Sequence, residues 1–363
     1  MTGVLTRLRS ALRPANGSVV PQMARGLLPN DALDDFEPLC HTVGLGVSDL
    51  ASSGDDLWMC AATTVLHADN LDAPAIEVAD LAAPVGAIAS DHRGGVVAAV
   101  AGHGILRVGR DGHVEPIVTT IPGSSFGCPT SLTVRDDGTI LCTEGSLEHS
   151  ADAWARDLFA GGRSGRVLEV AADGEVRVLA DGLAFAAGVG EHADGIVVAE
   201  AWRHRLALLD PTTGRRRDLG VELPAYPTRL CPAPGGGWWL TFLSKRNGLV
   251  ELVLRDQEFR EAMTTMIPSE HWIRPRLGPP DDILEPMQLG GMVQLGVRTP
   301  WAPTFSYGLV ARIGVDGDPI ASVHGRAASD RHGITAVAAV GDRLVVASHG
   351  ARCVLGGPVG DAS

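Results

Sequence analysis

The sequence GAIASDHRGGVVAAVAG, which begins at Gly86, predicts two short apolar strands joined by a turn with Asp and Gly. The chain carries six such units. The other five copies are VSDLASSGDDLWMCA from Val47, TSLTVRDDGTILCTEGS from Thr130, AAGVGEHADGIVVAEA from Ala186, TRLCPAPGGGWWLTFLS from Thr228 and ITAVAAVGDRLVVASHG from Ile334. Further strands follow each copy, at roughly the ~40-residue period of a propeller blade. The pattern predicts an all-β fold, a six-bladed β-propeller with one central channel.

Turn signals support this interpretation. Asp-Gly pairs at 111–112, 173–174 and 316–317 are typical of hairpins, because glycine accepts the positive φ that such turns require. A β-sandwich or a two-domain all-β protein is the alternative that the pattern leaves open.

The predicted organisation is one domain with short extensions. Residues 1–40 form an N-terminal arm whose last strand closes the sixth blade, residues 41–356 form the propeller, and residues 357–363 form a tail. An insertion at about 246–304, between the fifth and sixth blades, begins with a helix over 247–266 that is apolar on one face. Residues 281–304 are rich in Pro and Gly and predict a loop over one end of the channel.

The composition of the chain limits the classes of partner that it can bind. The 363 residues carry a net charge of -13, which argues against nucleic-acid and anionic-membrane binding. No stretch approaches the ~18 apolar residues of a membrane span, and no apolar run of the signal-peptide kind follows the N-terminal arginines. Six scattered cysteines do not form the close pairs of a zinc site. We therefore expect a cytoplasmic protein that acts on a small molecule and carries no cofactor; its oligomeric state stays open.

With the units aligned, the sequence resembles the strictosidine-synthase-like branch of the gluconolactonase propellers, a superfamily that includes senescence-marker-type lactonases and paraoxonases. The matching stretches are SGRVLEVAADGEVRVLADGLAFAAGVGEHADGIVVAEAWRHRLALL at 164–209, LPAYPTRLCPAPGGGWWLTFLSKRNGL at 223–249, PWAPTFSYGLVARIGVDGDPIASVHG at 300–325 and HGITAVAAVGDRLVVASHG at 332–350. The resemblance implies a six-bladed propeller with its site at one end of the channel.

The resemblance also implies which residues should hold a metal, and these are changed. The lactonases of this family bind calcium or another divalent ion through one glutamate, two asparagines and one aspartate. The matching positions are Ser48, Thr130, Ala187 and Thr228. A divalent ion needs about six oxygen ligands, several of them charged. We therefore predict no metal of the family type.

The strictosidine synthases use a glutamate on the last blade as a general base, and the matching position here is Thr335. A threonine hydroxyl does not accept a proton near neutral pH, which argues against condensation by that route.

Other residues remain as candidates for catalysis. Asp49 and His332 belong to the first and last blades, which are neighbours in a closed ring, and they form the favoured acid–base pair. Glu144 and Glu200 end apolar strands; the alternative is that they bind backbone amides between blades. The predicted substrate-binding set is Ser48, Thr130, Ala187, Thr228, Arg229, Tyr226, Trp301 and His349.

Arg229 is predicted to face a substrate carboxylate or oxyanion, with an inter-blade salt bridge as the alternative. The site should lie where the inner strands begin, under residues 270–305.

These features favour a lactone or ester hydrolase without the usual metal. A metal-independent condensation or cyclisation enzyme and a non-catalytic small-molecule-binding propeller are the alternatives.

Overall fold

The computed structural model describes residues 27–39, 42, 44–278, 307–326 and 329–358, together with the backbone of four short strands between 287 and 303. It is a six-bladed β-propeller, as predicted. Each blade is a four-stranded antiparallel sheet, and the first strand of each blade lies at the channel.

The first three blades are built from consecutive strands. The first contains β2 (Val47–Ser53), β3 (Asp56–Ala61), β4 (Thr64–Ala68) and β5 (Ile76–Asp80). The second contains β6 (Val85–Ser90), β7 (Val96–Val100), β8 (Gly104–Val108) and β9 (Val114–Val118). The third contains β10 (Pro129–Val134), β11 (Ile140–Glu144), β12 (Gly165–Val170) and β13 (Val176–Leu183).

The fourth blade is also built from consecutive strands, whereas the fifth and sixth blades are not. The fourth contains β14 (Ala186–His192), β15 (Gly195–Glu200), β16 (Arg205–Leu209) and β17 (Arg216–Leu219). The fifth contains β18 (Ala225–Pro232), β19 (Trp238–Lys245), β24 (Leu309–Ile313) and β25 (Pro319–His324). The sixth contains β26 (Ile334–Val340), β27 (Arg343–Ser348), β28 (Cys353–Pro358) and the N-terminal strand β1 (Glu37–Pro38).

The ring is closed by joining the two ends of the chain in one sheet. Strand β1 pairs with β28, where Glu37 lies opposite Gly356. Leu39 packs so closely here that a Cβ added to Gly356 would lie 2.1 Å from its Cδ1. This is the closure that the N-terminal arm predicted.

The insertion lies in a different place from the one predicted. It separates the second and third strands of the fifth blade, β19 and β24, and does not lie between the fifth and sixth blades. The two strands that follow it, β24 and β25, pair with β19 and complete that blade. The six repeated sequence units cover only the first hairpin of each blade, so they do not show which blade the later strands join.

The insertion contains two helices where one was predicted. Helix α2 (Gly248–Arg255) ends at Asp256, and α3 (Gln257–Met266) begins there because the Asp256 carboxylate accepts a hydrogen bond from the Phe259 N–H. Within α3, Met263 is buried, while Met266, the last residue of the helix, is exposed. Four short strands follow, at Met287–Leu289 (β20), Val293–Gln294 (β21), Val297–Arg298 (β22) and Trp301–Pro303 (β23).

A second insertion, between β11 and β12 of the third blade, carries helix α1 (Trp154–Ala160). Helices α1 and α3 pack together on an apolar cluster. We call these two insertions the cap, which covers the same end of the propeller as the starts of the inner strands. Its buried members are Ala155, Phe159, Val253, Met263 and Trp272. Short 3₁₀ turns occur at Ala32–Asp35, Ala151–Ala153, Ala201–Arg203 and Ser269–His271.

The predicted Asp-Gly hairpin turns are confirmed. Gly112, Gly174 and Gly317 all have φ near +85°, at +80°, +88° and +87°. No helix in the described part of the chain has the length and apolarity needed to cross a membrane.

Candidate functional site at the channel

A β-bulge near the start of each inner strand defines the level of the site. Register shifts occur in all six inner strands, for example between Val47 and Asp49 and between Ile334 and Ala336. A bulge re-aims a side chain relative to the regular pleat. The bulge positions are Ser48, Gly86, Thr130, Ala187, Thr228 and Thr335.

Arg229, next to one of these bulges, reaches across the channel to three other blades. Its Nη1 lies 3.0 Å from Asp49 Oδ2 and donates to Thr130 O at 2.6 Å, while its Nη2 donates to Gly86 O at 2.6 Å. The guanidinium thus joins the fifth blade to the first, second and third. The inter-blade salt bridge that the sequence left as an alternative is present.

Asp49 is the carboxylate partner of this guanidinium. It is buried, and its Oδ2 also accepts a hydrogen bond from the Ile88 N–H at 2.8 Å. Burial raises the pKa of Asp49, and the charge of Arg229 opposes that rise. The same burial raises the pKa of the neighbouring Cys60 thiol to about 12, so that thiol is not a nucleophile at neutral pH.

The hydroxyl groups at the bulge positions are bonded within the protein. Thr130 Oγ1 donates to Ala186 O at 2.6 Å, and Thr228 Oγ1 lies 2.8 Å from Thr241 Oγ1. Ser48 Oγ donates to Cys60 O at 3.3 Å, and Thr335 Oγ1 donates to Val47 O at 3.4 Å. These side chains supply hydrogen bonds between and within blades.

This donor set does not fit the divalent ion of the metal-dependent relatives. The bulge positions offer hydroxyls, a methyl group and a glycine, and Arg229 already takes the carbonyls of Gly86 and Thr130 and the carboxylate of Asp49. A divalent ion would have to displace a guanidinium from its own carboxylate without gaining a second charged ligand.

A different group of possible metal ligands lies on the first blade, away from the bulges. The donor atoms of Asp56, His67 and Asp69 lie within 4.8 Å of one another. Arg110 of the second blade forms ion pairs with both aspartates, so a cation already compensates this group.

The Arg229–Asp49 pair borders a cavity of about 160 Å³ inside the channel. The cavity is lined by the later halves of the inner strands of five blades, and it therefore extends from the bulges away from the predicted mouth. Its polar lining includes Ser52, Ser90, His92, Ser131, Thr133 and Cys231.

His332 and His349 of the sixth blade lie together on the mouth side. A Cβ added to Gly278 would lie 3.6 Å from His332 Nε2 and 3.8 Å from His349 Cδ2, so this glycine lies close to both rings. His332 Nδ1 is 2.8 Å from Ser329 O and must carry the proton of that hydrogen bond. In the neutral ring, Nε2 is therefore the basic nitrogen.

The favoured pair Asp49 and His332 is not joined by a contact among the described residues. The carboxylate of Asp49 binds Arg229 and Ile88 N, and the imidazole of His332 binds Ser329 O.

Glu144 and Glu200 occupy equivalent places at the ends of β11 and β15, and both are fully buried. Glu144 Oε2 accepts from Arg166 Nε at 3.1 Å, and Glu200 Oε2 accepts from Arg205 Nε at 2.6 Å. Glu200 also accepts a hydrogen bond from the Ala184 N–H. This geometry supports the structural role that the sequence left open for both residues.

The aromatic candidates are placed as follows. Tyr226 is fully buried, and its hydroxyl donates to Glu251 Oε1 at 2.9 Å, which points to packing below the cap. Ala187 is buried in a cluster with Phe185 and Ala201, packed by Trp202. The side chain of Trp301, and most of the predicted cover at 270–305, lie outside the described residues.

Sequence reasoning missed Gly86 as a member of the ring. The signal was present, because VGAI at 85–88 aligns with VSDL at 47–50 and ITAV at 334–337. A glycine has no side chain that would indicate a role in a site. Here the carbonyl of Gly86 binds Arg229.

Comparison with known proteins gives one sequence relative and many structural ones. No protein-family model matches the chain. A strictosidine synthase-like protein of Arabidopsis thaliana is 29% identical over 176 residues, which is 47% of this chain and 47% of the relative. The match therefore spans about half the length of that protein.

Among solved structures, a gluconolactonase from Xanthomonas campestris superposes with a TM-score of 0.58 at 15% identity, over 96% of this chain and 99% of the other. A calcium-binding regucalcin from Agrobacterium tumefaciens gives 0.54 at 13% identity, over 88% and 93%. A streptogramin B lyase gives 0.52 at 13% identity, over 90% and 98%.

At these identities the structural matches establish the fold alone, and the sequence match adds the strictosidine-synthase-like resemblance. The chain is thus similar in sequence, over about half its length, to a strictosidine synthase-like protein, and similar in fold to propellers that include a gluconolactonase.

Proposed function

We propose that the chain is a small-molecule hydrolase that opens a lactone or ester in the channel, with the Arg229 guanidinium standing where metal-dependent relatives hold a divalent ion. The observation that carries the proposal is the reach of Arg229 across the channel, at the level of the bulges, to the first, second and third blades.

Arg229 keeps donors available for a ligand. A guanidinium has five N–H groups, and the contacts to Asp49, Thr130 O and Gly86 O use three of them within the described part of the chain. The side chain is 17% exposed, so the remaining donors can meet a ligand. Asp49 acts as a positioning residue, because its carboxylate fixes the guanidinium.

The chemistry needs a base, an oxyanion donor and water. In the proposed reaction the substrate lies on the mouth side of the bulges, between Arg229 and His332. Water attacks its carbonyl carbon while His332 Nε2 accepts the proton, and the resulting tetrahedral oxyanion binds the N–H groups of Arg229. The carbon–oxygen bond of the leaving alkoxide then breaks, and that alkoxide takes the proton back from His332. The product is a hydroxy acid from a lactone, or an acid and an alcohol from an ester.

The test is kinetic, on a panel of five- and six-membered lactones and aryl esters. Arg229→Gln should lower kcat by ~10²-fold or more, the usual effect of losing an oxyanion donor. His332→Asn should lower kcat by ~10²–10⁴-fold, as for loss of a general base. Two exposed residues, Arg217→Gln and His113→Asn, are matched controls that should keep the wild-type rate.

Several results would overturn the proposal. Wild-type rates in both site variants would place the chemistry elsewhere. Loss of activity on chelation, restored by calcium, would show that a metal does the work assigned to Arg229. Binding without turnover across the panel would favour the non-catalytic propeller instead.

A further inference from the structure

The cap contains a second cavity, separate from the channel, of about 270 Å³. It lies between helices α1 and α3, beside Trp272. Its lining combines basic and aromatic side chains: His149, Arg156, Phe159, Arg260 and Trp272.

Two arginines of this cavity lack an ion-paired carboxylate within the residues that the structure describes. Neither Arg156 nor Arg260 forms such a pair there, whereas Arg135, Arg166 and Arg205 of the blades each do. Arg156 stacks on the Trp272 ring, with its guanidinium carbon 5.3 Å from the ring centroid. The Nε of Arg260 is buried without a hydrogen-bond partner in the described structure. An unsatisfied buried N–H is costly unless a ligand accepts from it.

The third basic residue of the lining, His149, is oriented by the buried carboxylate of Asp157. Asp157 is 1% exposed; its Oδ2 lies 3.3 Å from His149 Nδ1, and its Oδ1 accepts from Trp202 Nε1 at 2.7 Å. The carboxylate therefore holds the imidazole proton on Nδ1. Nε2 of His149 is the ring nitrogen that Asp157 does not bind. Gly162 is required beside it, since a Cβ there would lie 2.2 Å from Asp157 Oδ1.

The lining also contains one acidic residue. Glu261 accepts a hydrogen bond from Gln257 at 2.8 Å, but this neutral donor leaves the carboxylate charged. With Arg156 and Arg260 set against Glu261, the lining carries one positive charge in excess.

We propose that this cavity binds a small organic anion, with a carboxylate or phosphate on Arg156 and Arg260 and an apolar body against the exposed Ala160 of the lining. Guanidinium groups suit such anions because their planar N–H pairs match two oxygens at once.

The probe is 4-fluorobenzoate, with 4-fluorobenzamide as its neutral counterpart of the same shape, followed by ¹⁹F NMR line broadening on the full chain. The acid should bind at least ~10-fold more tightly than the amide, and Arg260→Gln and Arg156→Gln should each raise its Kd by ~10-fold. Arg177→Gln, a surface arginine of the third blade, should leave the Kd unchanged. Phenyl phosphate and inorganic phosphate, used as competitors, show whether the anion alone or its apolar body carries the affinity.

Equal binding of the acid and the amide would overturn the proposal, and so would an unchanged Kd in both cap variants. A raised Kd in Arg229→Gln alone would place the ligand in the channel instead. Absence of broadening at millimolar probe would also contradict the site. Far-ultraviolet circular dichroism of each variant separates loss of binding from loss of fold.

Discussion

Asp49 and Arg229 hold opposite charges against each other with 5% and 17% of their side chains exposed. Removing one member of such a pair leaves a poorly solvated charge. Asp49→Ala should therefore lower the free energy of unfolding by ~3 kcal/mol. Asp136→Ala, an exposed turn residue, should change it by less than ~0.5 kcal/mol. Urea unfolding of the two variants measures the difference. Equal stability would show that the pair contributes nothing to the ring.

The same residues show how far the sequence predicts the site. The repeat predicts equivalent places for Ser48, Thr130 and Thr228 at the starts of the inner strands, and the bulges lie there. That these residues and Arg229 bind a substrate stays a prediction. The partner of Asp49 was not predicted correctly, since adjacency of blades does not state which side chain is long enough to cross the channel. Arginine reaches across it, whereas the His332 ring is bonded to its own loop at Ser329 O.

Two buried histidines make stability depend on pH. Burial lowers the pKa of His204 to about 4, although the Glu251 carboxylate 3.6 Å away opposes this, and burial also lowers the pKa of His324 to about 4. Between pH 4 and 6.5 the unfolded chain then binds more protons than the folded one. The stability that these neutral rings contribute is complete above pH 6.5 and is lost as pH falls towards 4.

His204→Gln should therefore flatten the decline in unfolding free energy between pH 6.5 and 4, by up to ~1.4 kcal/mol per pH unit near the middle of this range. His113→Gln, on an exposed turn, is the control and should follow the wild-type slope. Parallel slopes for all three proteins would contradict the assigned direction for His204.

At the scale of elements, the cap is a small core of its own. Met263 is 1% exposed within it, whereas Met266 on the same helix is 66% exposed. Met263→Ala should destabilise the cap by ~2–3 kcal/mol, the usual effect of deleting a buried methionine side chain. Amide hydrogen exchange should accelerate in α1, α2 and α3 while β7 keeps its protection. Met266→Ala should change neither, and equal acceleration in β7 would show that the cap and the blades unfold together.

The element scale also shows the limit of periodicity. The apolar pattern over 247–266 predicted helix correctly, but the Asp256 cap divides it into two helices. Local capping chemistry was the competing signal. The placement of the insertion within the fifth blade depended on long-range pairing of β19 with β24, which no local pattern encodes.

At the scale of the whole molecule, the propeller depends on the closure of its sixth blade. Leu39 is 6% exposed against β28, and Leu28 is 86% exposed on the same N-terminal segment. Leu39→Ala should lower the global unfolding free energy by ~3 kcal/mol, because it opens the joint between the two ends of the chain. Leu28→Ala should have little effect. Urea midpoints that are the same for both would mean that the ring does not rely on this joint.

Diffraction shows whether a guanidinium or a divalent ion stands at the centre of the channel. Crystals of the wild-type protein are soaked in manganese, and anomalous differences are measured at the manganese absorption edge. We expect continuous density for Arg229 between Asp49, Thr130 and Gly86, with no anomalous peak there. A peak within bonding distance of the Asp49 carboxylate, with the Arg229 side chain displaced from it, would show that a metal takes the place of the guanidinium.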